Sequence, residues 1–169
     1  MKLFAAIFLG LALSAVSFGQ TSVRVGSQAP EFTATDVKGN NVALSELRGK
    51  VVVMTFWGTR CPICHEEIPK LNQVAKGFDG KNVVFLSLAT ESDDAVGAYL
   101  KRTPIMPRVL PNSFGVLLQY ADKDSGGNMN FGFPAYFVIG PQGTVQYRAS
   151  GWDKTPAISA AVSKLLSSM

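Results

Sequence analysis

The chain's two cysteines and its one histidine all fall within residues 57–69, which read WGTRCPICHEEIP. Cys61 and Cys64 form a C-x-x-C dithiol, able to open and close as a disulfide. Taken with His65 the same letters spell C-x-x-C-H, the attachment pattern of a c-type haem. The two chemistries exclude each other, because a sulfur held as a thioether cannot also exchange disulfides. The surrounding residues must therefore decide between them.

A covalent haem would need His65 as an axial ligand, Met106 or Met129 as a second, and an apolar shell to bury the ring. Here the motif carries Pro62 and follows a β-branched run, which is the setting of a sheet domain. Peroxide reduction by a single thiol is another alternative, but its P-x-x-x-T-x-x-C pattern is not met. Thr59 stands two residues before Cys61 rather than three, and the proline is missing. Two cysteines and one histidine are few for a structural zinc site. A static bridge across so short a loop would remove little entropy from the unfolded chain. The pattern therefore favours a dithiol that does chemistry. A binding module with an incidental dithiol remains the alternative from a different class.

Such a dithiol must be positioned. Residues 50–57, KVVVMTFW, form a continuous apolar and β-branched run, as expected of a strand buried on both faces. A helix is expected over 61–76, and Pro62 suits its first position, where the missing N–H costs nothing. That puts Cys61 at the N-cap, facing free backbone N–H groups and the positive end of the helix dipole, which favour thiolate over thiol. Cys64 lies one turn on, roughly 5–6 Å away on the same face, within reach of a disulfide. Cys61 is then the exposed nucleophile and Cys64 the buried resolving thiol. Further elements follow in alternation: two short strands over 31–44 about the turn at 38–41, a helical turn at 45–47, a buried strand at 82–89, a helix at 93–101, a short strand at 106–110 and a helix at 113–121. A hairpin at 135–139 and 144–149 follows, and then a last helix entered through Thr155 as cap and Pro156. This α/β order implies a central mixed sheet with helices on both faces.

Thr55-Phe56-Trp57, the C-x-x-C and Glu66-Glu67-Ile68-Pro69 together resemble the thioredoxin fold, and more closely the exported TlpA-like and ResA-like thiol–disulfide oxidoreductases. The resemblance covers about Val25 to Leu166. Pro69 matches the proline inside the family's active-site helix, and Phe133-Pro134 with the run to Ile139 matches its cis-proline loop and following hairpin. The strand–helix–strand between Asn82 and Leu110 resembles the insertion of this branch. The resemblance implies an α/β thioredoxin fold with an N-terminal hairpin and that central insertion. It also implies roles: Cys61 and Cys64 catalytic, Pro134 cis beside them, Phe133 offering backbone groups to an extended substrate, and Trp57 covering one side of the pair. Glu91 aligns with a glutamate near the family's buried cysteine, where it would accept a proton from Cys64. Thr55 stands where thioredoxin has a buried aspartate. Arg60 replaces a common tryptophan, and Pro62-Ile63 differs from the Gly-Pro of thioredoxin and the Pro-His of DsbA. Arg60, Pro62, Ile63 and His65 are thus the residues expected to tune the redox pair. Residues 123–130, KDSGGNMN, read as a longer approach to Pro134 than is usual, a mobile lip or a plain surface loop.

Composition sets the outer bounds. A chain of 169 residues with 47% hydrophobic and 17% charged residues fits one globular domain. The net charge of +4 is scattered, which does not make the basic stripe of a nucleic-acid binder. Residues 1–19 carry a positive start, an apolar run and small residues before Gln20, the layout of a signal peptide, which leaves 20–169 as the thioredoxin-like domain. The expectation is an exported, periplasmic or extracytoplasmic monomer, tethered to a membrane only if the leader stays. Its partners would be protein disulfide or dithiol substrates and an upstream redox protein. The family adds a reducing role, for instance in cytochrome c maturation. No organic cofactor is required, since electrons pass by dithiol exchange.

Overall fold

The computed structural model of the chain describes residues 23–124 and 126–169; the expected leader lies outside them. A five-stranded sheet forms the centre, in the order β5-β4-β3-β8-β9. Its strands are β3 (Val51–Trp57), β4 (Val83–Ala89), β5 (Arg108–Leu110), β8 (Ala135–Ile139) and β9 (Val145–Ser150). β3, β4 and β5 run parallel, while β8 lies antiparallel to β3 and β9 antiparallel to β8. The sheet is therefore mixed, as expected. All seven residues of β3 are buried, because it has a strand on either side and cover on both faces.

Four helices, α1 (Pro62–Gly77), α2 (Asp93–Leu100), α3 (Phe114–Tyr120) and α4 (Thr155–Ser167), flank this sheet. The alternation of side chains along β3 sorts the core. Val52, Met54 and Phe56 point to a cluster with Val116, Leu117 and Tyr120 of α3 and with Phe32, Val42 and Leu44 of the N-terminal hairpin. Val51 and Val53 point the other way, into a cluster with Leu71 of α1 and Ile158 and Val162 of α4. Trp57, further along the same face, joins Cys64 and Ile68 of α1 and Val96 and Tyr99 of α2. The face covered by α1 thus holds two separate apolar clusters, one at each end of β3.

The smaller elements hold the edges. β1 (Thr33–Thr35) and β2 (Asn41–Ala43) form the N-terminal hairpin. Its turn is built on Asp36, whose carboxylate accepts from the N–H groups of Lys38 and Asn40 and pairs with Arg108 of β5. Burial by itself would raise the Asp36 pKa, but the bonds from Asn40, Arg108 and Lys38 prevail and hold it well below the usual carboxylate range. The 140–143 turn between β8 and β9 needs its last glycine, since Gly143 has φ +81° and a Cβ there would fall on the Arg48 guanidinium.

Two details depart from the sequence reading. α4 begins at Thr155 itself, with Lys154 as its N-cap and no side-chain cap bond, because the Thr155 side chain is buried rather than turned back to the helix end. Residues 122–130 contain a small hairpin of β6 (Asp122–Lys123) and β7 (Met129–Asn130). The Asp124 carboxylate ties it together by accepting from the N–H groups of Gly126 and Asn128. Asp122 clamps it to Arg148 of β9 through two bonds of 2.9 and 2.6 Å.

Candidate functional site

Cys61 sits where β3 gives way to α1. It is the N-cap of α1, with extended backbone, and Pro62 opens the helix. Its Sγ accepts a hydrogen bond from the Cys64 N–H at 3.2 Å. The two Cα atoms are 5.2 Å apart and the two sulfurs are bonded to each other. Cys64 has no exposed surface, whereas Cys61 is half-buried. A thiolate on Cys61 would meet the same N–H and the positive end of the helix, both of which favour the charged form. The pair is therefore asymmetric, with one sulfur open to a partner and one reached only through the first.

The turn before Cys61 is held from two sides. Glu91, just after β4, accepts from the Thr59 backbone N–H at 2.8 Å and from the Thr59 hydroxyl at 3.1 Å. His65 lies against the Thr59 carbonyl through Nε2 at 2.8 Å and stacks on Tyr99, with ring centres 5.1 Å apart. Gly58 fits because it lacks a side chain: a Cβ there would stand 3.2 Å from Glu91 Oε1 and 3.9 Å from Cys61 Cβ. Glu91 thus braces the turn that leads into Cys61 through one carboxylate oxygen, while the other accepts from the Thr90 hydroxyl at 3.3 Å.

The Phe133–Pro134 peptide is cis. Phe133 packs on the cluster that holds both cysteines and Trp57, so the loop flanks the dithiol. Trp57 has no exposed surface and packs against Tyr99 at 5.0 Å. It packs in one cluster with both cysteines, covering the pair from within, and with no exposed surface it offers nothing for a substrate to touch. Arg60, Pro62 and His65 are exposed, and Ile63, between the cysteines, keeps 38% of its surface.

One charged residue escaped the sequence reading. Glu67 is only 1% exposed, although it lies in a run of charged letters that suggests a solvated helix face. It follows Cys64 by three residues, so the two occupy adjacent turns on one side of α1. Its carboxylate accepts from Lys70 Nζ at 2.7 Å and from the Tyr136 hydroxyl at 3.5 Å. The helical spacing of Cys64, Ile68 and Leu71 could have revealed it, since Glu67 falls on the face that these three bury. Burial, followed by the nearby Glu67 charge, raises the Tyr136 pKa above the ordinary phenol value. The Glu67 hydrogen bond raises that of Lys70, against a smaller opposing effect of burial.

Glu67 borders a polar row. Thr55 on β3 pairs with Ser87 on β4 and with Tyr136 on β8, which places three hydroxyl side chains abreast under α1. The Thr55 and Ser87 hydroxyls and the Trp57 indole nitrogen are buried with no hydrogen-bond partner among the described residues. The row's Tyr136 belongs to the apolar cluster beneath α4, and Trp57, two residues beyond Thr55, to the dithiol cluster. Among the described residues, no group of three or more His, Cys, Asp or Glu is placed to hold a metal ion.

Comparison with known proteins agrees with this geometry. A model of the AhpC/TSA family matches residues 25–148. The thiol-disulfide oxidoreductase ResA of Bacillus subtilis (strain 168) is 34% identical over 134 residues, covering 78% of this chain and 70% of that protein. Among solved structures, a thioredoxin-family thiol:disulfide interchange protein of Chlorobium tepidum TLS superposes with a TM-score of 0.70 at 27% identity, covering 86% of this chain and 99% of that one. A secreted disulfide oxidoreductase of Mycobacterium tuberculosis, described as homologous to E. coli DsbE, gives a TM-score of 0.63 at 26% identity, over 79% of this chain and 96% of that one.

Proposed function

The chain belongs to the AhpC/TSA family and is a thiol–disulfide oxidoreductase of thioredoxin fold, and we propose that it works outside the cytoplasm as a reductant of exported protein disulfides. In its reduced form, the Cys61 thiolate attacks one sulfur of a substrate disulfide and the other sulfur leaves as a thiolate. The resulting mixed disulfide lies along the Phe133–Pro134 loop. Cys64 then attacks Cys61, the internal disulfide closes, and the second substrate sulfur departs. Two electrons pass from enzyme to substrate, and an upstream protein dithiol restores them. The observation that carries this reading is the asymmetry of the pair: Cys61 is half-buried at the helix mouth, with its sulfur on the Cys64 N–H, and Cys64 is wholly covered behind it.

Two carboxylates stand ready for the protons. Glu91 braces the turn that leads into Cys61 by its bonds to Thr59. Glu67 lies one turn beyond Cys64, inside the protein. Export is supported by the signal-like layout of residues 1–19, and the M. tuberculosis structure is of a secreted protein. No helix among the described residues is long and apolar enough to cross a membrane. The reducing direction follows the family resemblance, with apocytochrome c as one substrate it suggests.

Insulin reduction tests the central step. Native protein should turn insulin over with a thiol reductant, and Cys61→Ala should fall to background, a loss of roughly 10³-fold or more. Equal activity in both would make the dithiol incidental. Equilibration with glutathione buffers then sets the direction: a potential near about −270 mV marks a reductant, and one near about −120 mV an oxidant.

A further inference from the structure

Eight large apolar side chains are exposed on the described surface, and two of them lie on segments tied to the redox pair. One is Ile63, between the cysteines; the other is Trp152, 48% exposed. Trp152 lies in the turn between β9 and α4. The Gly151 N–H donates to the Pro134 carbonyl at 2.8 Å, so the turn is tied directly to the loop that flanks the redox pair. Its backbone is specified closely: Gly151 has φ +82° and Asp153 φ +55°, a left-handed conformation that a non-glycine residue seldom adopts.

The indole is also braced. Lys70 Nζ stands 4.9 Å from the centre of the Trp152 ring. That ammonium is itself held by Glu67 at 2.7 Å and by Asp153 at 3.7 Å. Ile63, Glu67 and Lys70 follow at helical spacing along one side of α1, and Trp152 meets that side at Lys70. An aromatic ring with one side fixed on a cation and the other open to solvent loses little freedom when a partner covers it. Large rigid aromatics in this condition are the usual energetic anchors of protein contacts.

We propose that Trp152 is a specificity-determining residue of the exchange reaction, receiving an apolar or aromatic side chain that flanks the attacked cysteine in an extended protein substrate. The inference rests on the oxidoreductase reading and deepens it: the Phe133–Pro134 loop takes the substrate backbone, and Trp152 selects among sequences beside its cysteine. The chemistry is unchanged. The substrate S–S bond breaks, the Cys61–Cys64 bond forms, two electrons move to the substrate, and the two thiol protons pass to the released sulfurs or to buffer.

The test uses pre-reduced protein and synthetic peptides with one central cysteine, linked as a mixed disulfide to 5-thio-2-nitrobenzoate. In one peptide phenylalanine flanks the cysteine on both sides, and in the other serine does. Release of the chromophore is followed in single turnover as peptide concentration rises, with 5,5′-dithiobis(2-nitrobenzoate) as a small disulfide that makes no flanking contacts. Trp152→Ala should raise the half-saturating concentration of the phenylalanine peptide about 5–30-fold, with the limiting rate unchanged. The serine peptide and the small disulfide should react as with native protein, and Trp152→Phe should recover most of the loss. If Trp152→Ala matches native protein on the phenylalanine peptide, or slows all three reagents alike, the assignment of Trp152 is overturned while the dithiol reading stands. Native protein inert toward all three would instead overturn the oxidoreductase reading, and the inference with it.

Discussion

The two ends of the sheet face beneath α1 are built from the same strands and the same helix, yet they bury different things. Toward α4 the contents are hydrocarbon and aromatic rings: Val51, Val53, Leu71, Phe78, Phe85, Ile158 and Val162. Toward the dithiol, two or four residues along each strand, Thr55 and Ser87 with unpartnered hydroxyls, Trp57 with an unpartnered N–H and Glu67 with its carboxylate inside are mixed with the apolar Ile68, Ala89, Val96 and Val109. A buried polar atom left without a partner costs about 1–3 kcal/mol, so the second end weakens the fold where the first strengthens it. Such groups persist where they serve something other than stability, and here Trp57 packs in one cluster with Cys64 and Glu67 follows Cys64 by one turn of α1. One face therefore divides into a part that holds the molecule together and a part that gives up stability to chemistry.

The contrast can be broken most forcefully at the apolar end. Ile158→Ala deletes a fully buried side chain between α4 and the sheet and should cost about 2–5 kcal/mol in denaturant unfolding. The insulin activity of the protein that remains folded should not change. A large fall in activity per folded molecule would mean that the two ends are not separate in function.

Next in size comes Glu67→Gln, which removes the charge that Lys70 faces and keeps the shape. Lys70 is 39% exposed and can turn to water, so the loss should be only about 1–2 kcal/mol at neutral pH. The pH dependence is more telling. The folded-state pKa of Lys70 lies above its ordinary value of 10.5, chiefly through the Glu67 hydrogen bond. Its contribution to stability is therefore complete below 10.5 and is lost as pH rises through the higher folded value. Native protein should soften in alkaline melts above that point, and Glu67→Gln should soften less. Parallel alkaline curves for the two proteins would show that the ion pair has no energetic weight.

What the sequence made legible follows the range of the forces involved. The β3 and β4 runs, the proline that opens α1 and the Cys61 cap are set by residues next to one another, and the structure shows each within a residue or two. The C-x-x-C was legible because its spacing is itself the chemistry, and Phe133-Pro134 through its resemblance to the family's cis-proline loop. Glu67 was not read, although it falls on the face of α1 that Cys64, Ile68 and Leu71 bury, because its charge suggests a solvated position; its partner Tyr136 lies 69 residues away. Trp152 was passed over because only the Gly151–Pro134 bond brings its turn to the site. The β6–β7 hairpin was missed for a related reason: one carboxylate, Asp124, folds residues whose composition alone reads as loop.

The smallest effect is the sharpest test of the polar end. Thr55 is 3% exposed and its hydroxyl is among the unpartnered atoms. Thr55→Val replaces that oxygen with a methyl group of nearly the same shape, facing Ser87 and Tyr136 across the neighbouring strands. If the hydroxyl is a burden on the fold, the substitution should stabilise by about 1–2 kcal/mol, opposite in sign to Ile158→Ala on the same face. If the polar row also serves proton movement at Cys64, the more stable variant should exchange disulfides more slowly, with the deficit confined to the resolving step. A variant both less stable and equally active would show that the hydroxyl is satisfied in solution and that the row is structural. The division of the face into a holding end and a reacting end would then rest on Glu67 alone.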